Sequence, residues 1–173
     1  MTPFCFEHVF RAPSPAAVFD AYFDTGHQVE QDRRVEIIER AVLELVDDGD
    51  VLHRTCRVVP KRQIPAILRP FLPGQLHYVE TVRWRRRDDE LDIEIKPSVL
   101  RGRAHIQSVY RVERVAANKM RRRYEGTVSV DVALVSGRIE RGIVAEFERS
   151  MPIAASCTQA WLDRPDRSVA ARA

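Results

Sequence analysis

Two glutamates fall on otherwise apolar faces of predicted β-strands, where a carboxylate could do chemistry. Glu39 interrupts a face that would include Ile37, Ala41 and Leu43, and Glu80 interrupts a face that includes Val82. A buried carboxylate is costly unless it is paired. It could anchor the polar head of a ligand or act as a general base. A bulge that turns the side chain outward, or an internal pair with an arginine such as Arg122, is the alternative for both.

Glu80 is the stronger candidate because several other side chains project from the same predicted face. They combine aromatic rings with hydroxyl groups: Tyr78, Trp84, Ser108 and Tyr110. A small-molecule pocket needs such a mixture, which is mostly apolar with a few polar groups. A half-filled core has the same composition, so the pattern alone leaves both interpretations open.

The histidines and cysteines indicate no other chemical site. The cysteines, at positions 5, 56 and 157, match no zinc or redox spacing, and the five histidines are scattered. His8 shares the apolar face of the first predicted strand, where a hydrogen-bonded core histidine is expected. The sequence contains no nucleophile elbow, no metalloprotease helix motif and no Walker-type glycine loop. We therefore predict neither a metal nor a cofactor, and we assign no catalytic residue.

Two arginine clusters, "RWRRR" at 83–87 and "RRR" at 121–123, could suggest a nucleic-acid surface. Such a surface needs basic and aromatic side chains on one face. Alternation along a strand instead turns Trp84 inward and most of these arginines outward, towards acidic residues on neighbouring strands. We predict a solvated, ion-paired face and no nucleic-acid partner. Transient contact with an anionic membrane surface is an alternative.

Length and composition suit a single soluble domain. The chain has 173 residues, and its 28 basic and 25 acidic side chains give a formal net charge of +3. We predict one domain over residues 1–163 and a disordered tail over 164–173. No signal peptide and no apolar run of roughly 18–20 residues is present, so we expect a cytoplasmic protein.

The order of elements predicts the architecture. Apolar alternation indicates a strand near the N-terminus and sequential antiparallel strands from about residue 35 to 134. Ser14 and Pro15 are typical of a helix start, and Gly26 is a plausible stop. Residues 61–74 hold three prolines and an apolar cluster, which favours a short helical turn and loop.

The last predicted element, over residues 137–162, is a long amphipathic helix. Its apolar stripe recurs at spacings of three, four and seven and includes Ile143, Phe147 and Met151. Glu140 falls on the polar side, and Pro152 predicts a kink or a local break. Helices on one face of an antiparallel sheet make an α+β domain. We expect a curved sheet of about seven strands that grips the long helix and leaves room for a cavity.

This order resembles the helix-grip fold of the START-like superfamily, which includes lipid-transfer proteins, hydrophobic carriers and polyketide cyclases. The resemblance rests on "FEHVFRAPSPAAVFDAYFD", "IPAILRPFLPGQLHYVETVRW" and "VSGRIERGIVAEFERSM", and it covers about residues 3–163. It implies binding, transport or sensing of a hydrophobic small molecule or lipid in the cavity.

The predicted ligand-binding residues come from the sheet and from the last helix. They are Tyr78, Glu80, Trp84, Ser108, Tyr110, Tyr124, Ile143, Phe147 and Met151. Apolar residues of the segment over 61–74 would form a gate: Ile67, Phe71 and Leu72. The first alternative is a cyclase- or dehydratase-type enzyme that uses Glu80 or His8 as the acid/base. The second is an interaction module with a closed cavity.

Overall fold

Seven strands and three helices make up the described part of the chain. The computed structural model describes residues 1–61 and 75–164. The strands are β1 (Thr2–Arg11), β2 (Ile37–Asp47), β3 (Val51–Pro60), β4 (Tyr78–Arg85), β5 (Glu90–Pro97), β6 (Ala104–Ala116) and β7 (Lys119–Val130). The helices are α1 (Pro15–Phe23), α2 (Thr25–Arg34) and α3 (Ser136–Leu162).

All seven strands form one antiparallel sheet in the order β1-β7-β6-β5-β4-β3-β2. Consecutive strands from β2 to β7 are neighbours, and β1 returns to the free edge of β7. The sheet curves around the long C-terminal α3, so the predicted α+β helix-grip architecture is confirmed. Within the described residues no helix is long and apolar enough to span a membrane.

Three turns between consecutive strands lie where residues with positive φ allow the chain to reverse. Gly49 between β2 and β3 has φ +92°, and Asn118 between β6 and β7 has φ +54°. Asp89, with φ +50°, follows a 3-10 turn over Arg86–Asp88 before β5. Asn, Asp and Gly reach this region at the lowest steric cost, which places the hairpins at these positions.

Alternation correctly predicted the inward faces of the central strands. The buried side chains of β5 and β6 are Leu91, Ile93, Ile95, Ala104, Ile106, Ser108, Tyr110 and Val112. The apolar members of this set form one core with Ile139 and Ala155 of α3. The concave face of the sheet therefore packs against the stripe of α3 that the sequence indicated.

The prediction that Gly26 ends the first helix is wrong. Helix α1 begins as expected, because the Ser14 hydroxyl accepts a hydrogen bond from Ala17 N, but it ends at Phe23. Asp24 caps α2 by accepting from His27 N, so Gly26 lies in the first turn of α2. A Cβ atom at Gly26 would lie 2.8 Å from the Trp161 ring, so this glycine allows α2 to pack closely on α3.

Strand β2 departs from the predicted alternation because it contains two register shifts, between Ile37 and Glu39 and between Val42 and Glu44. Glu39 consequently faces outward, where it pairs with Arg57 at 3.3 Å. The bulge alternative therefore holds for Glu39, and the cavity alternative does not. Leu43 is also exposed, and it lies in β2 at the edge of the sheet.

Of the two outcomes predicted for Pro152, a kink or a local break, the break does not occur, because α3 continues from Ser136 to Leu162. Helix α3 differs from the prediction at Glu140. Glu140, expected on the polar side, is only 2% exposed. Its carboxylate accepts from the Thr2 hydroxyl at 2.7 Å and from Val130 N at 2.9 Å, and it pairs with the Met1 amino group at 3.0 Å. This carboxylate ties the start of α3 to β1 and β7.

Candidate ligand-binding cavity

A cavity of about 320 Å³ lies between the concave face of the sheet and α3. This volume falls at the lower end of the range for small-molecule sites. Apolar side chains of the central strands and of α3 form much of its wall: Ile93, Ile95, Ile106, Ile143, Phe147, Met151 and Ala154. Helices α1 and α2 contribute Val18, Tyr22 and Gln31.

The structure brings most of the predicted site residues together on this wall. From the sheet these are Tyr78, Glu80, Tyr110 and Tyr124, and from α3 they are Ile143, Phe147 and Met151. The predicted gate residues Ile67, Phe71 and Leu72 lie outside the described residues, as do residues 165–173 of the predicted tail. Pro60 and Leu76, on either side of the segment 62–74, both line the cavity.

Trp84 is buried, as predicted, but it does not line the cavity. Its ring stacks on Phe19 and Phe23, each at a centroid distance of 5.2 Å, and the Arg86 guanidinium lies 4.8 Å from its centroid. Helix α1 therefore covers Trp84. The sequence signal for this contact was present, because two phenylalanines four residues apart share one face of a helix.

Ser108 is also buried behind the cavity wall. Its hydroxyl lies 3.1 Å from the Tyr124 hydroxyl and 3.3 Å from the carbonyl oxygen of Ile93. Ser108 thus fixes the position of Tyr124, which does line the cavity.

Glu80 faces the cavity and is paired with Arg40, a residue that the sequence analysis missed. Arg40 Nη1 donates to Glu80 Oε1 at 2.8 Å, and Arg40 Nε donates to Asp32 Oδ2 at 2.9 Å. The three side chains are only 12–14% exposed. The bulge that turns Glu39 outward turns Arg40 inward, so no alternation-based prediction could place it. The internal-pair alternative is therefore realised for Glu80, with Arg40 instead of Arg122.

Burial and charge act in opposite directions on Arg40. Desolvation lowers the pKa of its guanidinium, but Glu80 and Asp32 together raise that pKa well above the usual arginine value. The cluster is a buried ion triad in which one arginine holds two carboxylates, so its formal charge is −1. It joins α2, β2 and β4 at one side of the cavity.

The tyrosines of the wall keep their protons at neutral pH. Burial raises the pKa of Tyr124 to about 12, although the Ser108 hydrogen bond opposes the shift. Burial also raises the pKa of Tyr22, Tyr78 and Tyr110. The charge of Glu80 adds to the shift at Tyr22 and Tyr78. The wall therefore includes neutral phenol groups among its hydrogen-bonding side chains.

Arg122 is the second arginine of the wall, and its side chain is only 3% exposed. Its Nη2 atom lies 2.5 Å from His8 Nδ1, and its guanidinium carbon lies 5.3 Å from the Phe10 centroid and 5.6 Å from the Tyr110 centroid. Burial, and then the charge of Arg122, lower the pKa of His8 to about 4. His8 is therefore neutral at physiological pH and can accept a hydrogen bond from Arg122.

The outer face of the sheet carries the predicted ion pairs. Arg85 contacts Asp88, Glu90 and Asp92, and Arg121 contacts Glu113. The described ranges contain no group of three or more histidine, cysteine, aspartate or glutamate side chains that could hold a metal ion.

Comparison with known protein families assigns this chain to a family. Residues 7–162 match a family model described as "Protein of unknown function (DUF2505)". The chain belongs to the DUF2505 family. No curated protein matches the sequence of this DUF2505 chain.

Solved structures resemble the DUF2505 chain over nearly its whole length. The Zhui aromatase/cyclase from Streptomyces sp. R1128 has a TM-score of 0.66 at 9% identity, over 96% of both chains. A START superfamily protein from Mycobacterium smegmatis has a TM-score of 0.62 at 8% identity, over 94% of this chain and 98% of that one. Ara h 8.0201 has a TM-score of 0.64 at 11% identity, over 91% and 97%. The DUF2505 chain therefore has the START-like fold that the sequence resemblance implied.

Proposed function

We propose that this DUF2505 protein binds a hydrophobic small molecule in the cavity between the sheet and α3. The observation that carries the proposal is the cavity of about 320 Å³, whose wall combines isoleucines and Phe147 with a few fixed polar groups. Apolar surface that the ligand buries would supply the binding free energy. The phenol groups would orient any polar part of the ligand.

The structural relatives support the same proposal by analogy. They include an aromatase/cyclase and a START superfamily protein, which share the fold at 8–9% identity. A shared fold does not carry a shared reaction. The analogy therefore supports an occupied cavity, and the chemistry must come from the residues of this chain.

The acid/base alternative receives less support from the geometry. Glu80 is held by Arg40, and none of the hydrogen bonds found among the described residues joins Glu80 to a tyrosine or a histidine. His8 contacts Arg122 and does not line the cavity. A general acid/base needs hydrogen-bond reach to the substrate and an available proton position. The arrangement suits binding better than proton transfer.

Titration with N-phenyl-1-naphthylamine, a neutral probe that fluoresces in apolar surroundings, tests the proposal. We expect saturable binding to the wild-type protein. Met151→Trp should weaken binding about tenfold or more, because the larger side chain occupies part of the cavity. Ile153→Trp is the matched control, because Ile153 lies two residues away on α3 and does not line the cavity. It should bind the probe like the wild type.

Organic extraction of the purified protein, followed by mass spectrometry, gives an independent readout. We expect an apolar compound in the extract from the wild type and less of it from Met151→Trp. Absence of saturable probe binding, together with an empty extract, would show that the proposed function is wrong.

A further inference from the structure

Arg122 is a buried cation on the cavity wall without an acidic partner in the described part of the chain. Its Nε atom has no hydrogen-bond partner there, and its contacts are a neutral histidine, two aromatic rings and the hydroxyl of Tyr110, all of them uncharged. A buried charge is stable only when other groups compensate it. Aromatic rings and neutral hydrogen-bond acceptors balance the charge of a guanidinium only in part.

Arg40, in the same cavity, is a buried arginine that has acidic partners. It receives two carboxylates, Asp32 and Glu80, at 2.9 and 2.8 Å. Those carboxylates are engaged by Arg40 and form no ion pair with Arg122. The cavity therefore has a compensated arginine on the β2–β4 side and an uncompensated arginine on β7.

Glu146, a carboxylate on the cavity wall, does not supply the missing partner. It pairs with Arg149 at 2.8 Å, and both side chains are partly exposed. Arg54 is a further buried arginine, but it lies over the rings of Phe23 and Tyr22 and does not line the cavity. Arg122 alone among the described residues combines burial, a place on the wall and an unfilled donor.

We propose that the ligand is an amphipathic acid whose anionic head group binds the Arg122 guanidinium while its apolar body fills the rest of the cavity. The inference rests on the proposed function and specifies its ligand class. A planar guanidinium presents paired donors that match the two oxygens of a carboxylate. Tyr110, whose ring lies beside Arg122, and Tyr124 also line the wall and offer neutral phenol groups.

A pair of ligands with the same chain and different head groups tests this assignment. Dodecanoate and 1-dodecanol are each titrated against the protein loaded with N-phenyl-1-naphthylamine at pH 7.5, and displacement of the probe is measured. We expect dodecanoate to displace the probe at a concentration at least about tenfold lower than 1-dodecanol, because a charge-assisted hydrogen bond replaces a neutral one.

Variants of Arg122 on β7 test whether this residue causes the preference for the acid over the alcohol. Arg122→Gln should bind both compounds with similar affinity, because the cation is gone. Arg122→Lys keeps the charge without the paired donors and should retain part of the preference, and it serves if Arg122→Gln does not fold. Arg123→Gln is the matched control, because the neighbouring Arg123 faces outward and pairs with Glu125. It should keep the wild-type preference.

The outcomes separate the two proposals. Equal displacement by acid and alcohol on the wild type would overturn the anionic ligand and leave the hydrophobic cavity standing. An acid preference that persists unchanged in Arg122→Gln would overturn the role of Arg122. Absence of probe binding to the wild type would overturn the proposed function, and the inference would fall with it.

Discussion

At the scale of single residues, Arg40 and Arg122 show how the surroundings decide what a buried cation can do. Arg40 pairs with Asp32 and Glu80, so its charge is neutralised within the chain. Arg122 meets His8, which must stay neutral to accept its hydrogen bond. A second positive charge on His8 would repel Arg122 in surroundings where water screens poorly.

The protonation of His8 gives a testable dependence of stability on pH. The pKa of His8 falls from 6.5 to about 4 on folding, because of burial and then of Arg122. Between these values the unfolded chain binds more protons than the folded one. The His8 contribution to stability is thus fully present above pH 6.5 and is lost as the pH falls towards 4.

His8→Gln removes this titration and leaves a neutral acceptor beside Arg122. Urea unfolding at several pH values should show that the wild type loses more stability than the variant between pH 6.5 and 4. His8 is only partly buried, so we expect a difference on the order of 1 kcal/mol. His105→Gln, at an exposed histidine, should follow the wild type. Identical pH profiles for His8→Gln and the wild type would contradict the prediction.

At the scale of elements, the attachment of α3 to the sheet depends on a carboxylate as well as on the apolar stripe. Glu140 lies in the first turns of α3 and receives hydrogen bonds from Thr2 in β1 and Val130 at the end of β7. One side chain therefore satisfies donors from both strands on which the helix rests. The apolar stripe orients α3, and Glu140 fixes the position of its first turns.

Glu140→Gln should destabilise the fold by roughly 2 kcal/mol, because an amide cannot accept all of these hydrogen bonds and one buried donor loses its partner. Chemical denaturation at pH 7 measures the loss. Glu148→Gln, at an exposed glutamate of the same helix, should change the free energy of unfolding by less than about 0.5 kcal/mol. A similar small effect of Glu140→Gln would show that the carboxylate does not hold the helix.

The sequence predicted the inward-facing residues of some secondary-structure elements and not of others. Alternation gave the inward faces of β5, β6 and β7, because the side-chain period of a strand is fixed by its backbone. It failed in β2, where register shifts exchange the faces of Glu39 and Arg40. Helical periodicity placed Glu140 with the charged residues, because it cannot show that β1 and β7 bring donors to that position.

The candidate site was predictable to a similar extent. Residues of the central strands and α3, such as Tyr110 and Phe147, lie on the cavity wall because the fold class and the periodicity determine their direction. Trp84 does not, because α1 packs over its strand. Arg40 depends on a bulge and on partners eight and forty residues away, which no local pattern contains.

At the scale of the whole molecule, the end of the first strand is joined to the end of the last helix. Arg11 at the end of β1 pairs with Asp163 after α3 at 2.9 Å, and its backbone nitrogen donates to Gln159. Trp161 packs beside Gly26 and His27 in α2. The last turn of α3 therefore contacts the first strand and the helix pair at once.

These contacts predict where the chain can be shortened. A protein that ends at Arg164 keeps Trp161 and Asp163, and we expect its free energy of unfolding to stay within about 0.5 kcal/mol of the full chain. A protein that ends at Ala160 loses Trp161 and should lose several kcal/mol, on the scale of a large buried aromatic residue. Thermal unfolding of both proteins checks this. Marked destabilisation of the longer version would place residues 165–173 within the domain.

The register shifts in β2 also bear on how copies of this protein behave at high concentration. An edge strand exposes a row of unpaired backbone groups that can template a neighbouring chain. In β2 that row carries exposed leucines and valines, a composition prone to aggregate. Because the two bulges interrupt the regular spacing that intermolecular pairing requires, we expect this edge to resist the growth of fibrils despite its apolar side chains.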